Sequence, residues 1–232
     1  MKTFVLGDIH GAYKALMQCL ERSHFDYAKD SLIVLGDVCD GWPEVNRAID
    51  ELLKIKNLEY IIGNHDLWTL DWALYGIQED VWTSQGGANT LASYNYDQNR
   101  IPLPHIGLLQ NAHWYFESGK KLFVHAGIDF TKPMHEQTKN TLVWDRSMVN
   151  LAHMKYNLGE TDFQFGPFEE IFVGHTPTVI FNAAVPQKFC NVWMMDTGAG
   201  WSGKLTIMDV ETKESWQSDP VVELYPYYKS RN

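Results

Sequence analysis

Over its first two-thirds the chain alternates short apolar runs with stretches of helical periodicity. Thr3–Leu6 is apolar and stops at Gly7; Tyr13, Leu16, Met17 and Leu20 then fall at i, i+3, i+4 and i+7, the stripe of an amphipathic helix. Leu32-Ile33-Val34-Leu35 reads as a second buried strand, ending at Gly36. Pro43 suits the first turn of a helix over 43–55, whose positions Val45, Ala48, Ile49, Leu52 and Leu53 share one face. Tyr60-Ile61-Ile62 is a third strand, ending at Gly63. This β-α-β-α-β rhythm predicts parallel strands joined by crossover helices.

Further on, Leu67 to Gln98 reads as helical and Trp-rich (Trp68, Trp72, Trp82), broken at Gly86-Gly87. The runs at 122–124, 171–173, 192–195 and 205–210 predict more strands, and Asp129–Pro167 reads as an irregular, polar excursion over the substrate. With no repeat, low-complexity tract or linker, the pattern predicts a layered α/β sandwich with mixed sheets. It is expected to form one domain over 1–232, with 67–120 and 129–168 as helical or irregular insertions.

Composition narrows the partners. The 232 residues carry 29 acidic and 19 basic side chains, a net charge of −10, which argues against nucleic-acid backbones and anionic membranes as partners. Three cysteines (Cys19, Cys39, Cys190) without a CxxC pair predict reduced thiols and a cytoplasmic setting. The N-terminal run reaches Gly7-Asp8 too soon for a signal peptide, and no apolar run approaches membrane-spanning length.

The chemistry lies just after the strands. Gly7-Asp8-Ile9-His10-Gly11, Gly36-Asp37-Val38-Cys39-Asp40, Gly63-Asn64-His65-Asp66, His125-Ala126-Gly127 and Gly174-His175-Thr176 each follow a strand-like run. In open α/β sheets that edge is where ligands sit, so segments distant in sequence are expected to converge there. An Asp after a Gly is, taken singly, an ordinary turn or helix cap, and a single His an ordinary surface or core group. Six such positions in order change the balance, because buried charges without partners are prohibitively costly. Asp8 and His10, one residue apart, would point to the same side of an extended backbone and share a metal. Asp37 has two oxygens with which to bridge a second ion, whose shell Asn64, His125 and His175 would complete. These donors suit divalent ions of borderline hardness.

The ordered set GDxHG, GDxxD, GNHD, HAG and GHT resembles the calcineurin-like metallophosphoesterases, in their phosphoprotein-phosphatase branch, and within it the bacterial and bacteriophage lambda type of Ser/Thr phosphatase. Gln85-Gly86-Gly87, Val143-Trp144-Asp145-Arg146, Phe172–Pro177 and Met195–Ala199 extend the resemblance, which runs from about Thr3 to Val210. It implies a layered α/β/β/α sandwich with two mixed sheets and flanking helices. It implies two divalent metal ions, Mn²⁺ first, with Fe, Zn or Co admitted by the same donors. Asp8, His10 and Asp37 would hold one; Asp37, Asn64, His125 and His175 the other. His65 would be the general acid, supported by Asp40, with Arg146 and Asn64 on the phosphate oxygens.

One departure stands out. The family continues from the aspartate of its second motif with Arg-Gly; here Gly41-Trp42 follows Asp40. Losing one preorganised donor costs about 2.7–4 kcal/mol of transition-state stabilisation unless something replaces it. Trp42 is expected either to pack against helix 43–55 or to stack on a nucleobase or aryl phosphate. Cys39 is expected to be a buried structural thiol, and Asp66 to cap a helix starting at Leu67. Asp196 is expected to bond either a ligating histidine or nearby backbone amides, and His24, His105, His113, His135 and His153 to be structural or surface groups. The resemblance implies a metal-dependent phosphomonoesterase acting on phosphorylated Ser/Thr, or Tyr, in proteins, or on a small phosphate ester. The alternatives are a dinucleoside polyphosphate or phosphodiester hydrolase and a catalytically silent phosphate-binding module.

Overall fold

Alternation along the strands builds two apolar layers. The structure, a computed structural model, describes residues 1–228, so the last four positions of the expected 1–232 domain lie outside them. In β1 (Thr3–Leu6), Phe4 and Leu6 join Leu16 and Cys19 of helix α1 (Tyr13–Arg22), while Val5 turns the other way. β2 (Ser31–Val34) repeats this, with Leu32 and Val34 in the helix-facing core and Ile33 opposite. Val5, Ile33 and Met208 meet Phe123 and Phe172, so the second layer is the seam between two sheets. There the Phe123 and Phe172 rings stack with centroids 4.9 Å apart.

The first sheet runs β10-β9-β1-β2-β3, with β3 at Asn57–Tyr60, β9 at Thr206–Asp209 and β10 at Ser215–Gln217. β1, β2 and β3 are parallel, and β9 and β10 are added antiparallel. The second sheet runs β4-β5-β6-β8-β7, comprising β4 (Tyr115–Ser118), β5 (Lys121–Val124), β6 (Glu170–Val173), β7 (Gln187–Phe189) and β8 (Val192–Met194). Its middle three strands are parallel, and β4 and β7 are antiparallel edges. Two mixed sheets with flanking helices are the architecture expected from the sequence. No helix among the described residues is long and apolar enough to cross a membrane.

Several boundaries differ from the pattern-based reading. The third strand is Asn57–Tyr60, not 60–62: its polar residues Asn57 and Glu59 carry the ladder, and Ile61 continues into an isolated bridge to His113. Helix α2 is Val45–Leu52, shorter than 43–55. The Trp-rich stretch is no continuous helix. α3 (Asn64–Tyr75) ends on left-handed Gly76, and α4 (Asp80–Trp82) enters a π-turn (Thr83–Gly87) kinked at Gly86 before α5 (Ala88–Ser93). Helix α6 (Leu103–Gln110) follows. The 129–167 segment, expected to be irregular, contains α7 (Lys139–Trp144) and α8 (Ser147–Asn157); α8 buries Met148, Val149 and Ala152, a spacing that its polar residues obscure in the sequence.

Candidate active site

Five of the six parallel strands deliver one of the expected polar groups at the carboxyl end. Asp8 follows β1, Asp37 follows β2, Asn64 opens α3 after β3, His125 follows β5 and His175 follows β6. All five are at least nine-tenths buried, as are His10, Asp40 and His65. They line a cleft of about 320 Å³ together with Gln85, Trp144, Arg146, Asp196 and Trp201, except that His125 and Asp40 lie behind its wall.

The turns are tight enough to bend the backbone. His10, Asp37, Asp40 and His175 adopt positive φ (49°, 52°, 68° and 58°), a strained region for non-glycine residues that gathers at functional sites. Asp8 and His10 therefore do not reach the same side by extended alternation; the left-handed turn at His10 brings its Nε2 to 3.9 Å from Asp8 Oδ2. Two glycines are there for space. A Cβ on Gly63 would collide with the Asp37 carboxylate, and one on Gly174 with that of Asp8.

Two groups of ligand atoms lie within 4.8 Å of one another: His10, Asp37 and His65, and Asp37, His125 and His175. Asp37 belongs to both, at 3.7 Å from His10 Nε2 and 3.4 Å from His125 Nε2. Asn64 Oδ1 is 3.0 Å from the same His125 nitrogen. The rings are aimed from behind. His10 Nδ1 lies 3.0 Å from the Cys39 carbonyl oxygen and His125 Nδ1 2.6 Å from that of Leu35, so each Nδ1–H donates to the backbone and each Nε2 faces the carboxylates.

Electrostatics fit a cation here. Burial and the charge of Asp196 raise the Asp8 carboxyl well above its usual range, the mark of crowded negative charge. Burial would raise Asp37 too, but the imidazoles of His125, His65 and His10 outweigh it and hold that carboxyl well below its usual range. Burial opposes protonation of His125, yet the Asp37 carboxylate lifts it to about 10. Burial, with the adjacent His125 charge, drops His175 to about 3, leaving a neutral imidazole of the kind a metal takes. The donor set and its charge therefore suit divalent metal.

His65 stands beside this cluster. Its Nδ1 is 2.6 Å from Asp40 Oδ2, and its ring meets that of His10 edge-on at 4.9 Å. Asp40 is fully buried and held on all sides: Thr90 Oγ1 donates to Oδ1 at 2.6 Å, and Trp82 Nε1 lies 3.0 and 2.9 Å from the two oxygens. The sequence reading missed Thr90 and Trp82. Thr90 is 50 positions from Asp40 and no motif marks it.

Other expectations resolve in detail. Trp42 is fully buried, donates its Nε1–H to the Ala199 carbonyl at 2.7 Å and stacks on Tyr225 at 5.2 Å, so it has no face for a nucleobase. Asp66 does not precede α3. It is the third residue of that helix, and its carboxylate accepts from Gly63 N, Asp37 N, Cys39 N and Tyr60 Oη, tying the loop after β2 to the end of β3 and the start of α3. Asp196 Oδ1 accepts the Gly198 amide at 2.9 Å, the backbone-amide alternative. Cys39 is fully buried, and its carbonyl is the part that reaches the site. Arg146 Nε lies 3.3 Å from His175 Nε2, at the open side of the cleft.

Residues 1–186 match the family described as calcineurin-like phosphoesterase, which covers well over half of the chain; the chain belongs to that family and is a phosphoesterase-type hydrolase. Its relatives carry two kinds of name. Serine/threonine-protein phosphatase 1 of Salmonella typhimurium is 26% identical over 217 residues, spanning 90% of this chain and 91% of the relative. The symmetrical bis(5'-nucleosyl)-tetraphosphatase of Coxiella burnetii is 34% identical over 281 aligned positions, spanning 93% and 92%. Among solved structures, a metallophosphoesterase from Sphaerobacter thermophilus superposes with a TM-score of 0.57 over 97% of this chain and 94% of its own, at 13% identity, a likeness of fold.

Proposed function

We propose that the chain is a metal-dependent phosphomonoester hydrolase whose substrates are phosphorylated Ser or Thr side chains, with Tyr as a further acceptor, in proteins. One observation carries the choice of a monoester: among the described residues lining the cleft, Arg146 is the one permanent cation. A polyphosphate bridge spreads several negative charges beyond the metals and would call for more than one guanidinium or ammonium.

Asp8, His10 and Asp37 would hold one divalent ion, and Asp37, Asn64, His125 and His175 the second, with Mn²⁺ first among ions suited to these donors and Fe, Zn or Co after it. Such a pair supplies Lewis acidity and a nucleophilic oxygen at neutral pH. The chain's own residues do the rest. Arg146 and Asn64 hold the phosphoryl oxygens. As the bond from phosphorus to the leaving oxygen breaks, His65 gives that oxygen a proton, and Asp40 stabilises the imidazolium and fixes its ring. Trp82 and Thr90 keep Asp40 from turning away. The absent family arginine leaves this work to Arg146. The 67–120 and 129–168 segments act within the same single domain, contributing Gln85, Trp144 and Arg146 to the cleft. The three cysteines are unpaired and support a reducing, cytoplasmic setting.

The names of several relatives favour a second reading, symmetrical cleavage of dinucleoside tetraphosphates. A panel of phosphothreonine peptides, phenyl phosphate and diadenosine tetraphosphate assayed with Mn²⁺ decides between them. The proposal expects kcat/KM for the peptides to exceed that for the dinucleotide; dominant anhydride cleavage with negligible peptide turnover overturns it.

A further inference from the structure

Beside the metal cleft lies a second recess of about 400 Å³, formed by Val179, Ala183 and Ala184 on one side and Trp201, Ser202 and Gly203 on the other. Val179 and Trp201 belong to both cavities, so the recess begins where the catalytic cleft ends. No charged side chain lines it, in a protein where 21% of residues are charged. Its lining is open to solvent at Val179 and Trp201, 60% and 39% exposed, beside Ile180 of the catalytic cleft at 56%, with Asn182 the polar member of the same wall. Apolar side chains clustered in the open at the mouth of a site are the sign of a surface that is covered in use.

The walls are stiff. Thr178 Oγ1 donates to the Ala183 carbonyl at 2.9 Å while the Ala183 amide donates to the Thr178 carbonyl at 3.2 Å, closing the loop on itself. Gln217 Nε2 donates to the Ala184 carbonyl at 2.8 Å. On the floor, Thr197 Oγ1 is engaged with the Lys204 carbonyl and Thr206 Oγ1, both at 2.6 Å. A preformed apolar recess of this size takes one or two side chains with little ordering cost. Its uncharged lining suits neither a second phosphate group nor an acidic or basic flank.

We propose that this recess is a specificity subsite for the substrate polypeptide, receiving an apolar side chain close in sequence to the phosphorylated residue. The inference rests on the protein-phosphatase reading above and sharpens it: the preferred phosphosites carry Leu, Met or Phe nearby. Extended peptide advances about 3.3 Å per residue, so the next cavity along the cleft is reached within a few positions of the phosphoryl group.

The test scans Leu, Phe, Ala, Asp and Lys through three positions on each side of phosphothreonine in synthetic peptides, with phenyl phosphate as the control substrate. The wild-type protein should prefer Leu or Phe over Asp by about tenfold or more in kcat/KM at one position, chiefly through KM. Ala184→Asp and, independently, Ser202→Asp should abolish that preference and leave phenyl phosphate turnover unchanged; Ala184 is exposed and Ser202 lies in an exposed loop, so the fold tolerates both. Peptide cleavage with a flat preference, or a preference kept in both variants, overturns the subsite alone. Phenyl phosphate turnover without any peptide turnover overturns the protein-substrate reading and the subsite with it.

Discussion

His65 separates an enzyme from a binding module, because a group that only holds phosphate has no use for a buried acid paired with Asp40 at 2.6 Å. His65→Asn is expected to keep its metal content, measured by elemental analysis, while kcat on phenyl phosphate falls about 10²–10⁴-fold. Unchanged turnover would remove the proton donor from the mechanism and restore the silent-module reading. Asp37 makes a different prediction. Its carboxylate is shared by both groups of ligand atoms, so Asp37→Asn should lose both ions together. A variant that retains one ion at full occupancy would show that Asp37 serves a single site.

The elements show why single residues behave this way. The π-turn between α4 and α5 positions a helical insertion so that Trp82 faces Asp40, and Trp82 also packs against Trp72 of α3 with ring centroids 6.0 Å apart. Trp82→Phe should retain the packing and lose the Nε1–H donor. A hydrogen bond to a charged group contributes about 1.5–3 kcal/mol, so kcat should fall roughly tenfold to a hundredfold. A variant with wild-type kcat on phenyl phosphate would mean that the insertion supports the fold alone. At Gly174, where β6 gives way to the His175 turn, an added methyl group would displace the Asp8 carboxylate. Gly174→Ala should weaken metal binding markedly, and isothermal titration with Mn²⁺ reads this directly.

At the scale of the molecule, two sheets bring their parallel strand ends to one rim, so ions held there would couple the halves. Ligands that bind only the folded state stabilise it by about 2.7 kcal/mol at a hundredfold excess over Kd. Chelation should therefore lower Tm by about 5–10 °C in a chain of this length, and a calorimetric scan that shows no shift would speak against ions bridging the sheets. Much of this arrangement is legible from residues alone. Apolar runs such as Thr3–Leu6 and Ile171–Val173 stop at Gly-Asp or Gly-His because a buried strand needs a tight turn to release a polar side chain at its end. Local periodicity and turn chemistry, being short-range, thereby made the parallel strands and the polar groups at their ends legible, while the pairing of His65 with Asp40 came from the family resemblance. Tertiary structure alone decided the rest: that β3 lies earlier along a polar stretch, that 129–167 contains two helices, that Trp42 is sealed under Tyr225, and that Thr90 and Trp82 grip Asp40. These depend on which distant surfaces meet, and pairing between residues far apart in sequence leaves no periodic trace in the chain.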